Sequence, residues 1–322
     1  METISERSEI LFIYHVKDAN PNGDPLANNA PRTDPETGVA TVTDVRIKRW
    51  IRDYWHERKK LPIWIIEDVK ENNTLKEAFE RFQELMKKAG REPKKISERK
   101  SEFDKAVEYA KREWIDLRVF GCVMPTGGDE GKSPTITLTG PVQFSGFNRS
   151  YHKVEPMVIQ GTGAFAGGQN KFQRTFREDH ILPYACIGVY GIINEIAAKE
   201  TGMSLEDREL LLEGLWKGCL DLISRSKFGH QPLMLIHLIY KHGYRIGDLT
   251  QRIEFIKNDK IGDNDEKIRN VTDFQLNLTP LKNEIENSKD KIAAIEYLYD
   301  DRLSFKNKTS PKDFPKTKAL SF

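Results

Sequence analysis

Lys48, Arg49 and Arg52 lie within five residues of one another, and a second group of cations, Arg149, Lys153, Lys171, Arg174 and Arg177, is threaded among Phe147, Tyr151, Phe165, Phe172 and Phe176. These are the side chains whose types and spacing could do chemistry, and that chemistry is binding. Fixed cations hold phosphates, while aromatic rings stack on or wedge between splayed bases, so the combination suits single-stranded RNA held by its backbone. Arg225 and Lys227, in the short run "SRSK", add a third candidate phosphate contact. The residues alone leave other readings open. A charged helix face is usually solvated, loop phenylalanines often anchor their own loop, and a protein-interaction module could use the same exposed segments.

Motifs for other chemistry fail on spacing. In "DANPNGDPLANN", Asp18, Asn20, Asn22 and Gly23 fall where a calcium loop needs them, but Asn29 stands in place of the bidentate glutamate, Pro21 and Pro25 interrupt, and a strand precedes where a helix belongs. A structured turn at a strand end is expected there, with a loop that touches a ligand as the second reading. "GGDEGKS" lacks the first glycine of a phosphate loop, because Thr126 occupies it, and Pro134 and a strand follow where a helix must receive the phosphate. Gly161, Gly163, Gly167 and Gly168 do not make a dinucleotide fingerprint. No cofactor and no metal site is expected. His152 or His180 could serve as an acid or base in RNA cleavage, but no paired nucleophile is recognisable.

The elements that must position these residues follow from hydrophobic periodicity. Ile10–Val16 alternates as a strand, and Ile47, Trp50, Ile51 and Tyr54 predict a helix from Thr43 or Asp44 to about Arg58, with Lys48, Arg49 and Arg52 pointing away from the apolar stripe. The charged stretch from 60 to 115 reads as a solvent-facing helical insertion, with helices around Leu75–Ala89 and leading to Trp114. Asp116–Phe120 is expected as a short strand and Thr135–Phe144 as an alternating one. From 147 to 179, glycine, aromatic and basic residues predict a protrusion or binding loop. His180–Ile193 and Pro232–Tyr240 read as strands, with Ser204 and Asp207 capping a helix between them. In the final segment, 246–322, Lys291–Leu303 is helix-like.

Setting the insertions aside leaves the order strand, helix, strand, strand, helix, strand, which is that of an α+β, ferredoxin-like fold. The core is then carried by 1–59, 116–146 and 180–245.

With 51 basic against 49 acidic side chains in 322 residues, a net charge of +2 predicts neither a nucleic-acid nor a membrane partner, so any electrostatic function depends on local patches. Cys122, Cys186 and Cys219 are too few and scattered for a disulfide framework, and the start lacks a signal-peptide pattern. A cytoplasmic protein with no membrane contact is expected.

Four blocks then combine: "ANPNGDPLANNAPRTDPETGVATVTDVRIKRWIRDYW", "GPVQFSGFNRSYHKVEP", "TFREDHILPYACIGVYG" and "SRSKFGHQP". Together they resemble the backbone subunit of the type I CRISPR surveillance complex Cascade, within the repeat-associated mysterious protein superfamily, and most resemble subtype I-B with relatives in I-C. The resemblance implies a modified RRM-like core with large inserted helical and thumb-like subdomains, and a noncatalytic chain that polymerises head to tail along CRISPR RNA. It implies as partners the guide, adjacent copies of the chain, other Cascade subunits, and target DNA through guide pairing. It places Asn20, Asn22, Lys48, Arg49 and Arg52 near the RNA backbone. It also makes the region around Phe147–Arg177 the thumb or its web, with Phe147, Phe165 or Phe172 as the base wedge. Related type III subunits cut RNA with a loop carboxylate, a role for which Asp18 and Asp24 are the candidates, but their neighbourhood matches the noncleaving branch better.

Overall fold

The computed structural model describes residues 2–67, 76–90, 100–125, 135–166 and 174–322, with the backbone alone at 79, 100–103, 125, 162–166 and 174–177. The chain divides into two compact units, one of Met1–Arg7, Lys48–Gln143 and Ile192–Leu215, the other of Ser8–Ile47, Phe144–Gly191 and Trp216–Phe322.

The second unit is built around the apolar run near the N-terminus. β1 (Ser8–Ala19) is buried along nearly its whole length, as a strand covered on both faces must be. It is followed by β2 (Gly23–Asp24), β3 (Ala30–Pro31) and β4 (Val39–Thr43). Further along the chain lie β5 (Gly121–Pro125), β6 (Thr135–Thr139), β7 (Val142–Phe144), β8 (Phe147–Lys153), β9 (Met157–Ala166) and β10 (Arg174–Ile193). The C-terminal part adds β11 (His230–Tyr240), β12 (Glu254–Lys257), β13 (Phe274–Asn277), β14 (Ile292–Tyr299) and β15 (Thr317–Ala319). The principal sheet runs β15-β14-β11-β1-β10-β8-β4, with β7 and β9 pairing to other parts of β10. It is mixed, since β15 lies parallel to β14 while β11 is antiparallel to both β1 and β14.

Leu11 and Ile13 of β1 bury in one core with Leu249, Phe274, Leu276, Leu281, Ile285, Ile292 and Ile295. The C-terminal segment is therefore an ordered layer over the sheet. The helix-like spacing at 292 and 295 belongs to a strand: Tyr240 pairs with Ile292 and Ile239 with Ala294, so Ala293 is a bulge. The extra residue turns Ile292 and Ile295 to the same side, which imitates the three-residue step of a helix.

The polar residues of β8 face inward. Asn148, Ser150 and His152 are buried and patch an irregular ladder. Between Val39 and Thr41 the β4–β8 register shifts, and the N–H of Ala40 donates to Ser150 Oγ at 2.9 Å. Asn148 Nδ2 donates to Val42 O at 3.1 Å, and the N–H of Cys186 donates to His152 Nε2 at 3.2 Å. Buried backbone groups need partners, and here side chains supply them.

Among the described residues the α-helices are α1 (Asp44–Glu57), α2 (Ala78–Lys88), α3 (Lys100–Glu113), α4 (Ile115–Phe120), α5 (Glu195–Thr201), α6 (Leu205–Leu220) and α7 (Thr279–Asn287). In the first unit α1 packs on α6: Trp55 Nε1 donates to Leu210 O at 2.9 Å and Tyr54 Oη to Glu213 Oε1 at 2.8 Å. The expected cap forms at α6, with the N–H of Ser204 donating to Asp207 Oδ2 and that of Asp207 to Ser204 Oγ, at 3.0 and 3.1 Å.

The charged insertion has its own core, in which Phe82, Met86, Ala106, Ala110 and Trp114 bury with Trp64, Leu117, Met124 and Ile136. Segment 116–120, expected as a strand, is the helix α4. Five of its six residues are buried, so no alternation or stripe marks its type, and Gly121 at φ +74° ends it.

Candidate nucleic-acid interface

The opening loop is a self-supporting turn. At Gly23 an added Cβ would lie 2.9 Å from the backbone Asn29 O as well as against the Asn29 side chain, and Asn28 and Asn29 take left-handed φ of +52° and +57°, which asparagine tolerates. Asp24 accepts from the N–H of Leu26 at 3.1 Å and from Arg32 Nη1 at 3.2 Å. The carboxylates therefore order the turn, and among the described residues no group of three His, Cys, Asp or Glu could hold a metal. Leu26, at the tip, is 98% exposed.

The two asparagines tie this turn to its neighbours. Asn20 is buried, and its Nδ2 donates to Asn29 O at 2.7 Å. Asn22 Oδ1 accepts from both the N–H and the hydroxyl of Thr43, at 2.8 and 2.9 Å, where β4 passes into α1.

The run 224–229 meets the same turn from the other side. Lys227 Nζ donates to Asn20 O at 2.5 Å and the N–H of Asn20 to Ser226 O at 2.8 Å. Burial, helped by Arg46, brings the Lys227 ammonium down from 10.5 to about 7. Lys227, expected to contact phosphate, is half-buried and gives one of its three donors to the loop. Arg225 is 63% exposed and pairs with Asp179 Oδ2 at 2.8 Å.

Asp179 stands in an antiparallel ribbon of β9 and β10, with Ile181 opposite Met157, Asp179 opposite Ile159 and Arg174 opposite Ala166. The segment expected as a protrusion or binding loop thus contains paired strands, with 167–173 outside the described residues. Pro183, which lacks an N–H, lies between the stretch of β10 that pairs β9 and the stretch at Ile187 and Gly188 that pairs β8. Arg174, Arg177 and Phe165 are on the ribbon, but their side chains, like the whole of Lys171 and Phe172, lie outside the described residues. Phe147, opposite Thr43, is 56% exposed; Arg149 and Lys153 follow on the same exposed side of β8.

In the first unit the basic face of α1 is only partly as expected. Arg49 donates from Nε to Asp53 Oδ1 at 2.7 Å, one turn on, and keeps 42% side-chain exposure. Lys48 Nζ lies 5.9 Å from the Phe120 ring centroid. Arg52 does not point to solvent. It is buried against Asp116 at 2.9 Å and stacks over Phe120 at 4.9 Å, while Asp116 also accepts from the N–H groups of Trp64 and Ile65. Periodicity set Arg52 outside the stripe of its own helix but could not reveal that α4 covers that side.

His152, a candidate base, has both ring nitrogens engaged by backbone, Nε2 by the Cys186 N–H and Nδ1 by Lys153 O at 2.8 Å. Its pKa is lowered by burial. His180 is half-buried near the foot of the ribbon, opposite Val158.

The second unit thus links Asn20, Asn22, Arg225 and Lys227, with Phe147 and Arg149 on the adjoining strand. The sequence reading missed Phe228, 70% exposed, although an aromatic beside two cations in "SRSKF" was the available signal. It also missed Arg46, whose field acts on Lys227 and His230.

The chain belongs to the family described as CRISPR-associated protein Cas7, whose model matches residues 6–279. It is similar to a CRISPR-associated protein Cas7 of Haloferax volcanii, 27% identical over 339 residues, covering 94% of this chain and 89% of that one. Its fold is similar to a chain of a CRISPR RNA-guided surveillance complex in a pre-nicking state, with a TM-score of 0.56 and 12% identity over 98% and 96% of the two chains. A second such complex gives a TM-score of 0.53 and 13% identity over 98% and 95%.

Proposed function

We propose that this chain is a noncatalytic CRISPR RNA-binding backbone subunit of a Cascade surveillance complex. Copies stack head to tail along the guide, other subunits close the ends, and the guide's bases are left to pair with target DNA. The observation that carries this reading is family membership over most of the chain, combined with the exposed Arg225 and Phe228 of the 224–229 run, Arg225 being paired to Asp179 of the ribbon, and with Phe147 and Arg149 exposed on β8. The four sequence blocks favour subtype I-B, with relatives in I-C, and the complex works in the cytoplasm.

The core is RRM-like in this reading. β1, α1, β8, β10, α6 and β11 follow the ferredoxin-like order, and the four strands lie side by side as β11-β1-β10-β8. An RRM stacks bases on its open sheet face, but here Leu11 and Ile13 are covered by the C-terminal layer. That favours RNA held by loops and ribbon. Lys48, Arg49, Arg149, Lys153, Lys171, Arg174, Arg177 and Arg225 hold phosphates, and Phe147, Phe165 or Phe172 is the wedge. Asn20, Asn22, Arg52 and Lys227 keep the surrounding backbone in place.

The test is to purify the chain with its nucleic acid, sequence that RNA and measure particle length. Protected spacers with uniform repeat-derived ends are expected, and Arg49→Glu should shorten the particles. Particles whose length survives complete removal of RNA would instead mark an RNA-independent polymer and sink the proposal.

A further inference from the structure

We propose that Phe228 stacks on an unpaired base of single-stranded RNA, and that Ser224–Gly229 is the strap that presents it; this rests on the guide-binding reading above. The strap is held on every side. The N–H groups of Lys227 and Phe228 both donate to Ser224 O, at 2.9 and 2.7 Å, the Lys17 N–H donates to Gly229 O at 3.0 Å, and the Asn20 N–H donates to Ser226 O at 2.8 Å. Lys227 Nζ reaches back to Asn20 O, and His230 Nδ1–H donates to Lys227 O at 2.6 Å. Gly229 sits at φ +123°, where an added Cβ would come within 2.1 Å of Lys17 O, so the close approach to β1 admits glycine alone.

A backbone this constrained nevertheless leaves the Phe228 ring 70% exposed. A large apolar ring on a fixed backbone loses little freedom on binding, which is what a recognition side chain needs. The surroundings choose the partner. Arg225, three residues away and 63% exposed, is held by Asp179 of the ribbon. A dry protein contact centred on Phe228 would have to bury that pair, whereas an RNA strand offers a base to the ring and a phosphate to the guanidinium.

The experiment uses the full chain, freed of bound nucleic acid, with a synthetic single-stranded RNA carrying 2-aminopurine at successive positions. Stacking on Phe228 quenches the fluorescence at one or more positions. Phe228→Ala should abolish that quenching and weaken binding by about ten-fold, and Phe228→Trp should restore both, since the ring is exposed and either variant folds. Wild-type quenching and affinity in Phe228→Ala would overturn the proposal. So would altered particle length with unchanged RNA affinity, which would assign the ring to a protein contact. If the unaltered chain bound no RNA at all, the guide-binding reading itself would fall, a result distinct from either.

Discussion

At the scale of single residues, charge placed inside the protein does structural work. Asp116 is fully buried and accepts from Arg52 and from two backbone N–H groups. Removing one member of such a pair strands the other, so Arg52→Gln or Asp116→Asn should cost roughly 3–5 kcal/mol in denaturant unfolding. Arg49→Gln, at a half-exposed pair, should change stability by under about 1 kcal/mol. Equal losses in the two arginine variants would contradict the assignment.

The same burial makes stability depend on pH. Burial lowers His15 from 6.5 to about 4 and His230 from 6.5 to about 3, so on acidification the unfolded chain takes up protons first and stability falls as pH drops from 6.5 towards 4. Lys227 is lowered from 10.5 to about 7. Between those values the unfolded chain holds the extra proton, so its contribution makes stability rise with pH from 7 to 10.5. Denaturant midpoints measured across pH should lose the upper slope in Lys227→Met and part of the lower one in His230→Asn. Parallel profiles in variants and wild type would rule these groups out.

At the scale of elements, the strap depends on a position that admits few substitutions. Gly229→Ala forces a side chain into a left-handed conformation, costing about 1–3 kcal/mol, and into contact with Lys17 O. Hydrogen exchange should therefore quicken at the amides of Lys17 and Asn20, which are bonded to the strap. Exchange unchanged at both amides would mean that the strap does not hold β1. Asp179→Asn removes the partner of Arg225 and should leave the paired amides of β9 and β10 protected, because the ribbon is held by its own ladder.

At the scale of the whole molecule, a formal charge of only +2 leaves the proposed RNA contacts to local cations, so affinity should fall with salt. Arg49→Glu should weaken binding to all sequences alike and reduce the slope of log affinity against log salt by about one. Phe228→Ala should leave that slope unchanged, since a ring releases no counterions. Titrations of both variants at several salt concentrations separate the two kinds of contact.

Much of this was written locally. β1, α1, the cap at Ser204 and Asp207 and the turn at Gly23 each follow from short-range rules of periodicity, capping and backbone freedom. Whether a given cation faces water depends on what packs over it, and local pattern does not contain that. Arg52 and Lys227 read as surface charge until α4 and the opening loop are brought against them, and His152 reads as a candidate base until the irregular ladder of β8 claims both its nitrogens. Ile292 and Ile295 carry a helical spacing that a bulge against β11 converts to strand. Residue types and chain-local geometry were thus decided by the sequence itself, while burial, partner and strand pairing were decided by contacts between segments far apart in the chain, where desolvation and hydrogen-bond satisfaction outweigh local preference.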